Sequence, residues 1–124
     1  MNKISKFFKK IFFICLIYHI KFIWNRINKY NNYLKDLSTK ERKYKKFFIK
    51  DKEDLELNKD FLDTFKIKTN KYKNKLIKRE LQLKIYLYKY EFFSDNFIIK
   101  CNDLNISSDL ISPFRQIYSY FLKK

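Results

Sequence analysis

The apolar positions of the chain first recur with the period of a helix. Between about Lys3 and Lys35, basic and apolar side chains separate when residues are placed 100° apart. Lysines and Asn25 fall mainly on one side, and the apolar side holds Phe8, Ile11, Phe12, Cys15, Leu16, Phe22 and Ile23. The pattern predicts a long amphipathic N-terminal helix within residues 1–36.

A second helix is predicted after this segment. Ser38-Thr39-Lys40-Glu41 has the form of a capping box, in which a Ser side chain and a Glu side chain three residues later bind free backbone N–H groups. The helix would run from there to Lys50 and be strongly basic. A short acidic helix or turn would complete residues 37–66.

From Glu80 onward the apolar spacing changes to two. Leu81, Leu83, Ile85 and Leu87 alternate with more polar residues, which is typical of a strand. Residues 65–69 and 96–101 are candidates to pair with it. A helix is the competing interpretation, because Leu83 and Leu87 also share a helical face with Leu76. The prediction for residues 65–101 is therefore a small β-hairpin or a helix.

The C-terminal segment has a helix-start pattern. Ser112 can serve as an N-cap with Pro113 at the first helical position, which predicts a helix over residues 113–122. The predicted fold class is α+β, predominantly helical. The 124 residues are expected to form one small structural subunit with three parts, which are residues 1–36, 37–66 and 67–124.

The most apolar stretch, residues 11–24, has three interpretations. A membrane-spanning helix usually needs ~20 apolar residues, whereas only 14 lie between Lys10 and Asn25, and His19 and Lys21 interrupt them. The basic stripe favours a helix that is buried or lies on a polyanion. A membrane contact or span through residues 7–25 and a targeting segment are the alternatives.

The composition indicates an unusual gene. Gly, Ala and Val are absent, and Lys, Ile, Phe, Asn and Tyr make up 76 of 124 residues. Codons for these abundant residues are built mainly from A and T, so the simplest explanation is an extremely AT-rich genome. Protist mitochondria, relict plastids and a few parasites or viruses have such genomes. An excess of lysine over acidic residues is not forced by this bias. The net charge of +16 therefore needs its own explanation.

Charge is concentrated in two basic blocks that flank an acidic spacer at residues 51–66. Both blocks interleave lysine with tyrosine or phenylalanine, so they could bind phosphates and stack on exposed bases. The sequence thus predicts RNA binding through Lys40, Arg42, Lys43, Lys45, Lys46, Lys50, Lys71, Lys73, Lys75, Lys78 and Arg79.

Little in the chain indicates catalysis. Without glycine there is no phosphate-binding loop, dinucleotide fingerprint or nucleophile elbow. Cys15 and His19, one helical turn apart, are too few ligands for a zinc site and are interpreted as core residues. The acidic cluster is interpreted as solvated or paired with lysines. We expect no enzymatic activity, no metal and no cofactor.

These observations predict a structural rRNA-binding protein of a mitochondrial ribosome. It would contact rRNA and neighbouring ribosomal proteins in the organellar matrix and would not exist as an isolated monomer. The alternative is a single-pass accessory membrane subunit of a respiratory complex or ATP synthase in the mitochondrial inner membrane. A secretory or exported protein is a third interpretation.

Overall fold

The computed structural model describes residues 3–90 and 95–122, and every regular element in these ranges is a helix. Six helices follow one another along the chain, and their bounds are α1 Lys3–Phe48, α2 Lys52–Leu57, α3 Lys59–Lys89, α4 Asp95–Asp103, α5 Ser108–Ile111 and α6 Phe114–Leu122.

The first two predicted helices are one continuous helix. α1 passes through Ser38 without a break, so the predicted capping box is wrong. The Thr39 hydroxyl donates to the carbonyl oxygen of Lys35 at 3.0 Å, a bond inside the helix. No glycine or proline lies in this stretch to stop the helix.

The α+β class and the β-hairpin at residues 65–101 are also wrong, because no strand exists among residues 3–90 and 95–122. α3 runs through the alternating segment, with Leu83 and Leu87 buried and Leu81 and Ile85 more than half exposed. The alternation arose because this helix carries apolar residues on two faces. The competing helical interpretation is confirmed.

Between α4 and α5 the chain turns without glycine. Asn105 adopts a left-handed backbone conformation with φ of 56°, which asparagine tolerates better than most residues. The N–H of Ile106 binds the Cys101 carbonyl at 2.9 Å, and the N–H of Asn105 binds the Asn102 carbonyl at 3.1 Å. This is the bonding pattern of a Schellman motif, and the accompanying Ile106 is buried.

The C-terminal helix is confirmed, but its predicted cap is wrong. Ser112 has right-handed helical angles and ends α5 instead of starting α6. Its hydroxyl donates to the Asp109 carbonyl at 3.1 Å. The Pro113 carbonyl accepts the N–H groups of Gln116 and Ile117, and α6 begins at Phe114.

The chain divides into two compact units: a terminal unit, Met1–Asn25 with Leu81–Lys124, and a hairpin unit, Arg26–Glu80. The described part of the terminal unit contains most of the buried apolar side chains. Its core residues are Leu16, Ile17, Ile20, Ile23, Trp24, Leu83, Leu87, Phe97, Cys101, Leu104, Ile106 and Ile117. In the hairpin unit the buried apolar side chains are Ile27, Leu62 and Leu76.

Two leucines test the helical assignment of the alternating segment. Leu83 is 0% exposed and Leu81 is 58% exposed, although a strand would place both on one face. We expect Leu83→Ala to lower the free energy of unfolding by about 2–5 kcal/mol. The matched control Leu81→Ala should change it by less than about 0.5 kcal/mol. Urea denaturation measures both, and equal losses would contradict the assignment.

Candidate nucleic-acid interface

The hairpin unit is an antiparallel pair formed by the second half of α1 and the first part of α3. Tyr44 stacks on Phe61 with ring centroids 4.4 Å apart, and its hydroxyl donates to Asn58 Oδ1. Further along, Tyr33 of α1 contacts Tyr72 of α3. Since the contacts follow opposite orders in the two helices, the pair is antiparallel, and its outward faces carry the basic side chains.

The first predicted basic block lies on the surface. The six residues Lys40, Arg42, Lys43, Lys45, Lys46 and Lys50 are all exposed. Lys40 pairs with Asp36 at 3.0 Å and Lys45 with Glu41 at 3.3 Å. Exposed pairs of this kind contribute only about 0.3–0.5 kcal/mol, so both lysines can exchange these partners for phosphates.

The side chains of the other four residues, Arg42, Lys43, Lys46 and Lys50, have no carboxylate partner among the described residues. Lys35 is exposed and lies seven residues before Arg42, so it falls on the same helical face as Arg42 and Lys46. The sequence prediction missed Lys35 because that part of α1 was assigned to the apolar N-terminal helix.

The second block divides between two faces of α3. Lys71, Lys75 and Lys78 are exposed, and their spacing of four and three residues puts them on one face. Lys68, three residues before Lys71, is also exposed and extends it. Lys73 is exposed as well, but at about 100° per residue it lies on the opposite side.

Arg79 has a different environment from the other predicted residues. It is half-buried and already has an interaction partner within the fold. Its neighbour Glu80 is the buried charged residue of this unit, and it too has a partner. The Arg79 side chain is therefore less accessible to a phosphate than the exposed lysines of this block.

A tyrosine pair lies between the two helices and carries a lysine on each side. The rings of Tyr33 and Tyr72 are 5.2 Å apart, with an interplanar angle of 41°. Lys29 Nζ lies 5.7 Å from the Tyr33 ring centroid, and Lys75 Nζ lies 5.7 Å from that of Tyr72. Tyr33 is 40% exposed. Aromatic surface and ammonium groups thus meet at one place, as base stacking and phosphate binding require.

Sequence reasoning missed Lys29 and Tyr33. Both lie in the segment assigned to the N-terminal helix, and their contact with α3 is not local in sequence. The available signal was their spacing of four residues, which places a lysine over a tyrosine on one helix face.

A groove of about 340 Å³ in the same unit contrasts with the tyrosine pair. Its lining mixes lysines with carboxylates: Glu41, Lys45, Lys52, Leu55, Glu56, Lys59, Leu62, Asp63 and Lys66. The predicted residue Lys45 lies here. Carboxylates would repel phosphates, so this groove is less suited to RNA than the tyrosine pair.

The acidic spacer contributes caps to α2. The Asp51 side chain accepts the N–H of Asp54 at 2.9 Å, and Asp54 Oδ2 accepts the N–H of Lys50 at 3.1 Å. These bonds satisfy backbone donors that a helix N-terminus leaves free. The carboxylates Asp51 and Asp54 thus stabilise the turn between the paired helices.

Cys15 and His19 are exposed, so their interpretation as core residues is wrong. His19 contacts the ring of Tyr86 edge-on at 5.1 Å. Cys101 is buried, and burial raises the pKa of its thiol. Within residues 3–90 and 95–122, no three His, Cys, Asp or Glu side chains are grouped as metal ligands.

None of the helices in the described ranges is both long and apolar enough to cross a membrane. No family model matches the chain, and neither a curated protein nor a solved structure matches it.

Proposed function

We propose that this chain is a structural RNA-binding protein of a mitochondrial ribosome and that its hairpin unit contacts the rRNA. The observation that carries the proposal is the Tyr33–Tyr72 pair with Lys29 and Lys75 over its rings. A lysine within ~6 Å of an exposed ring is held by only about 0.5–1 kcal/mol. Both lysines can therefore move to phosphates while Tyr33 stacks on a base.

The charge of the hairpin unit supports binding to a polyanion. Residues 26–80 contain 18 basic and 9 acidic side chains, a net charge of +9. Side chains such as Arg42, Lys46, Lys71 and Lys78 have no carboxylate partner in the described ranges. RNA phosphates would neutralise them and release counterions, which makes such binding strongly dependent on salt.

The kind of RNA recognition follows from the residue types. Lysine binds phosphate as a point charge, whereas base-specific recognition more often uses arginine, glutamine or asparagine. Of the four arginines in the chain, Arg79 is half-buried. We therefore propose recognition of folded rRNA by shape and charge, with tyrosine stacking on an unpaired base. The assignment to a mitochondrial ribosome rests on the AT-rich composition.

Removing the two ring-bound lysines tests the interface. We expect Lys29→Gln/Lys75→Gln to weaken binding of a structured RNA about tenfold or more at low salt. The slope of log K against log salt should fall by about 1.4–1.8, the value for two lost phosphate contacts. Fluorescence anisotropy with the full chain at several salt concentrations measures both quantities.

The control is Lys59→Gln/Lys66→Gln, which removes the same charge from the carboxylate-lined groove. Its slope should change by less than half as much, because those lysines share the groove with carboxylates such as Glu56 and Asp63. If both double variants lost equal affinity and equal slope, binding would depend only on total charge. The proposed interface would then be wrong.

Sedimentation of the native particle tests the assembly. A tagged copy of this chain, expressed in the organism that encodes it, should sediment with mitochondrial ribosomal particles and their rRNA on a sucrose gradient. Ribonuclease should shift it to lighter fractions. A chain that stayed at the top of the gradient, or that remained in membranes after carbonate extraction, would contradict the proposal.

A further inference from the structure

The first part of α1 carries an apolar face that is largely exposed. Ile4, Phe8, Ile11, Cys15, Tyr18 and Phe22 recur at alternating spacings of four and three residues, and all six are exposed. Phe7 and Phe12 are also exposed and widen the face on either side. We call these eight residues the outer face. With 100° between successive residues, these eight side chains cover about 140° of the helix circumference. This is wider than the apolar stripe of a coiled coil, which has two apolar residues per heptad.

The opposite side of the same helix forms the core of the terminal unit. Ile17, Ile20 and Ile23 are 0% exposed, and Leu16 and Trp24 are buried. The outer face stays largely exposed beside this core, although Phe12 packs edge-on against Tyr90 with ring centroids 6.1 Å apart. Exposed apolar surface of this extent on one helix indicates a surface that something else covers.

Charge identifies what covers it. Lys3, Lys6, Lys9, Lys10 and Lys21 lie along the helix, and the first acidic residue of the chain is Asp36. At 100° per residue Lys3 and Lys21 lie near the edge of the outer face, whereas Lys6 lies opposite it. A second copy of this segment would bring five more lysines close to these five, and the added positive charge opposes self-association. RNA offers anionic charge but no apolar layer. An anionic lipid bilayer offers both, with phosphates at the depth of the ammonium groups and acyl chains below them.

An open groove beside the outer face has the same combination of groups. It has a volume of about 970 Å³ and lies between the start of α1 and the end of α4. Its apolar lining includes Phe8, Phe12 and Phe13, and Lys6, Lys9 and Lys100 contribute ammonium groups. Asp103 is the carboxylate in this lining. Three lysines around phenylalanine rings suit the phosphate and upper acyl chain of an acidic lipid.

We propose that the outer face docks on an anionic lipid surface, with the start of α1 lying in the plane of the interface. The rings of Phe7, Phe8 and Phe12 enter the boundary between headgroups and acyl chains, and the lysines nearest the edge of this face, Lys3 and Lys21, bind lipid phosphates. This is a property of the terminal unit and goes beyond the proposed binding of rRNA by the hairpin unit.

Paired phenylalanines provide a matched test with the full chain. Phe7 and Phe8 are 60% and 64% exposed, and Phe47 and Phe48, at the end of the same helix, are 69% and 59% exposed. Phe7→Ser/Phe8→Ser should weaken binding to phosphatidylcholine vesicles containing phosphatidylglycerol by about tenfold to hundredfold. Phe47→Ser/Phe48→Ser should bind like the wild type. Vesicle co-sedimentation measures both, and circular dichroism verifies that both variants remain helical.

Several outcomes would overturn the proposal. Equal binding by the two double variants would show that lysines attract the vesicles without insertion of the outer face. If the wild type bound neutral phosphatidylcholine vesicles as tightly as anionic ones, the lysines would have no role in docking. Failure of the wild type to bind any vesicle would exclude a lipid surface as the occupant of this face.

A fluorescent reporter gives an independent measurement of insertion. Phe7→Trp places an indole on the outer face, and brominated acyl chains should quench it, whereas Phe47→Trp should not be quenched. Absence of quenching at position 7 would contradict insertion. RNA binding by Phe7→Ser/Phe8→Ser should remain at the wild-type level. Loss of lipid binding can therefore be distinguished from loss of RNA binding.

Discussion

Repulsion among basic side chains is the main constraint on the hairpin unit. Eighteen basic residues lie within residues 26–80, and the buried apolar side chains of this fully described range are Ile27, Leu62 and Leu76. Aromatic contacts such as Tyr44–Phe61 and Tyr33–Tyr72 supplement this small core. Since self-repulsion destabilises a compact state, neutralisation of the outward lysines by phosphates would stabilise the paired helices. The same property therefore links the stability of this unit to its proposed partner.

The sequence predicted that the chain is mainly helical and located the C-terminal helix, but it failed wherever a helix has two apolar faces. Leu81 and Ile85 are exposed on one face of α3 while Leu83 and Leu87 are buried on another, and together they imitate the alternation of a strand. A similar arrangement in α1 merged the outer face with the core. The absence of glycine also removes the usual markers of helix ends, and the residues from Ser38 to Glu41 imitate a helix start within a continuous helix.

For the candidate site, residue type was predictable and arrangement was not. Both basic blocks lie mainly on the surface, as expected from the energetic cost of burying lysine. Lys73 is separated from Lys71 and Lys75 by the helical period of α3. The position of Lys45 in a carboxylate-lined groove and the meeting of Lys29 and Lys75 at the tyrosine pair depend on which helix faces pair. That pairing is set by tyrosine contacts between residues far apart in sequence, such as Tyr33 and Tyr72.

In the proposed complex, RNA neutralises the basic side chains of the hairpin unit and thereby stabilises it. Hydrogen–deuterium exchange of the full chain, with and without a structured RNA, tests it most directly. Bound RNA should slow exchange of the backbone amides within residues 26–80, because opening the paired helices would then also break the phosphate contacts. Unchanged exchange rates in this range at an RNA concentration that saturates binding would contradict the account.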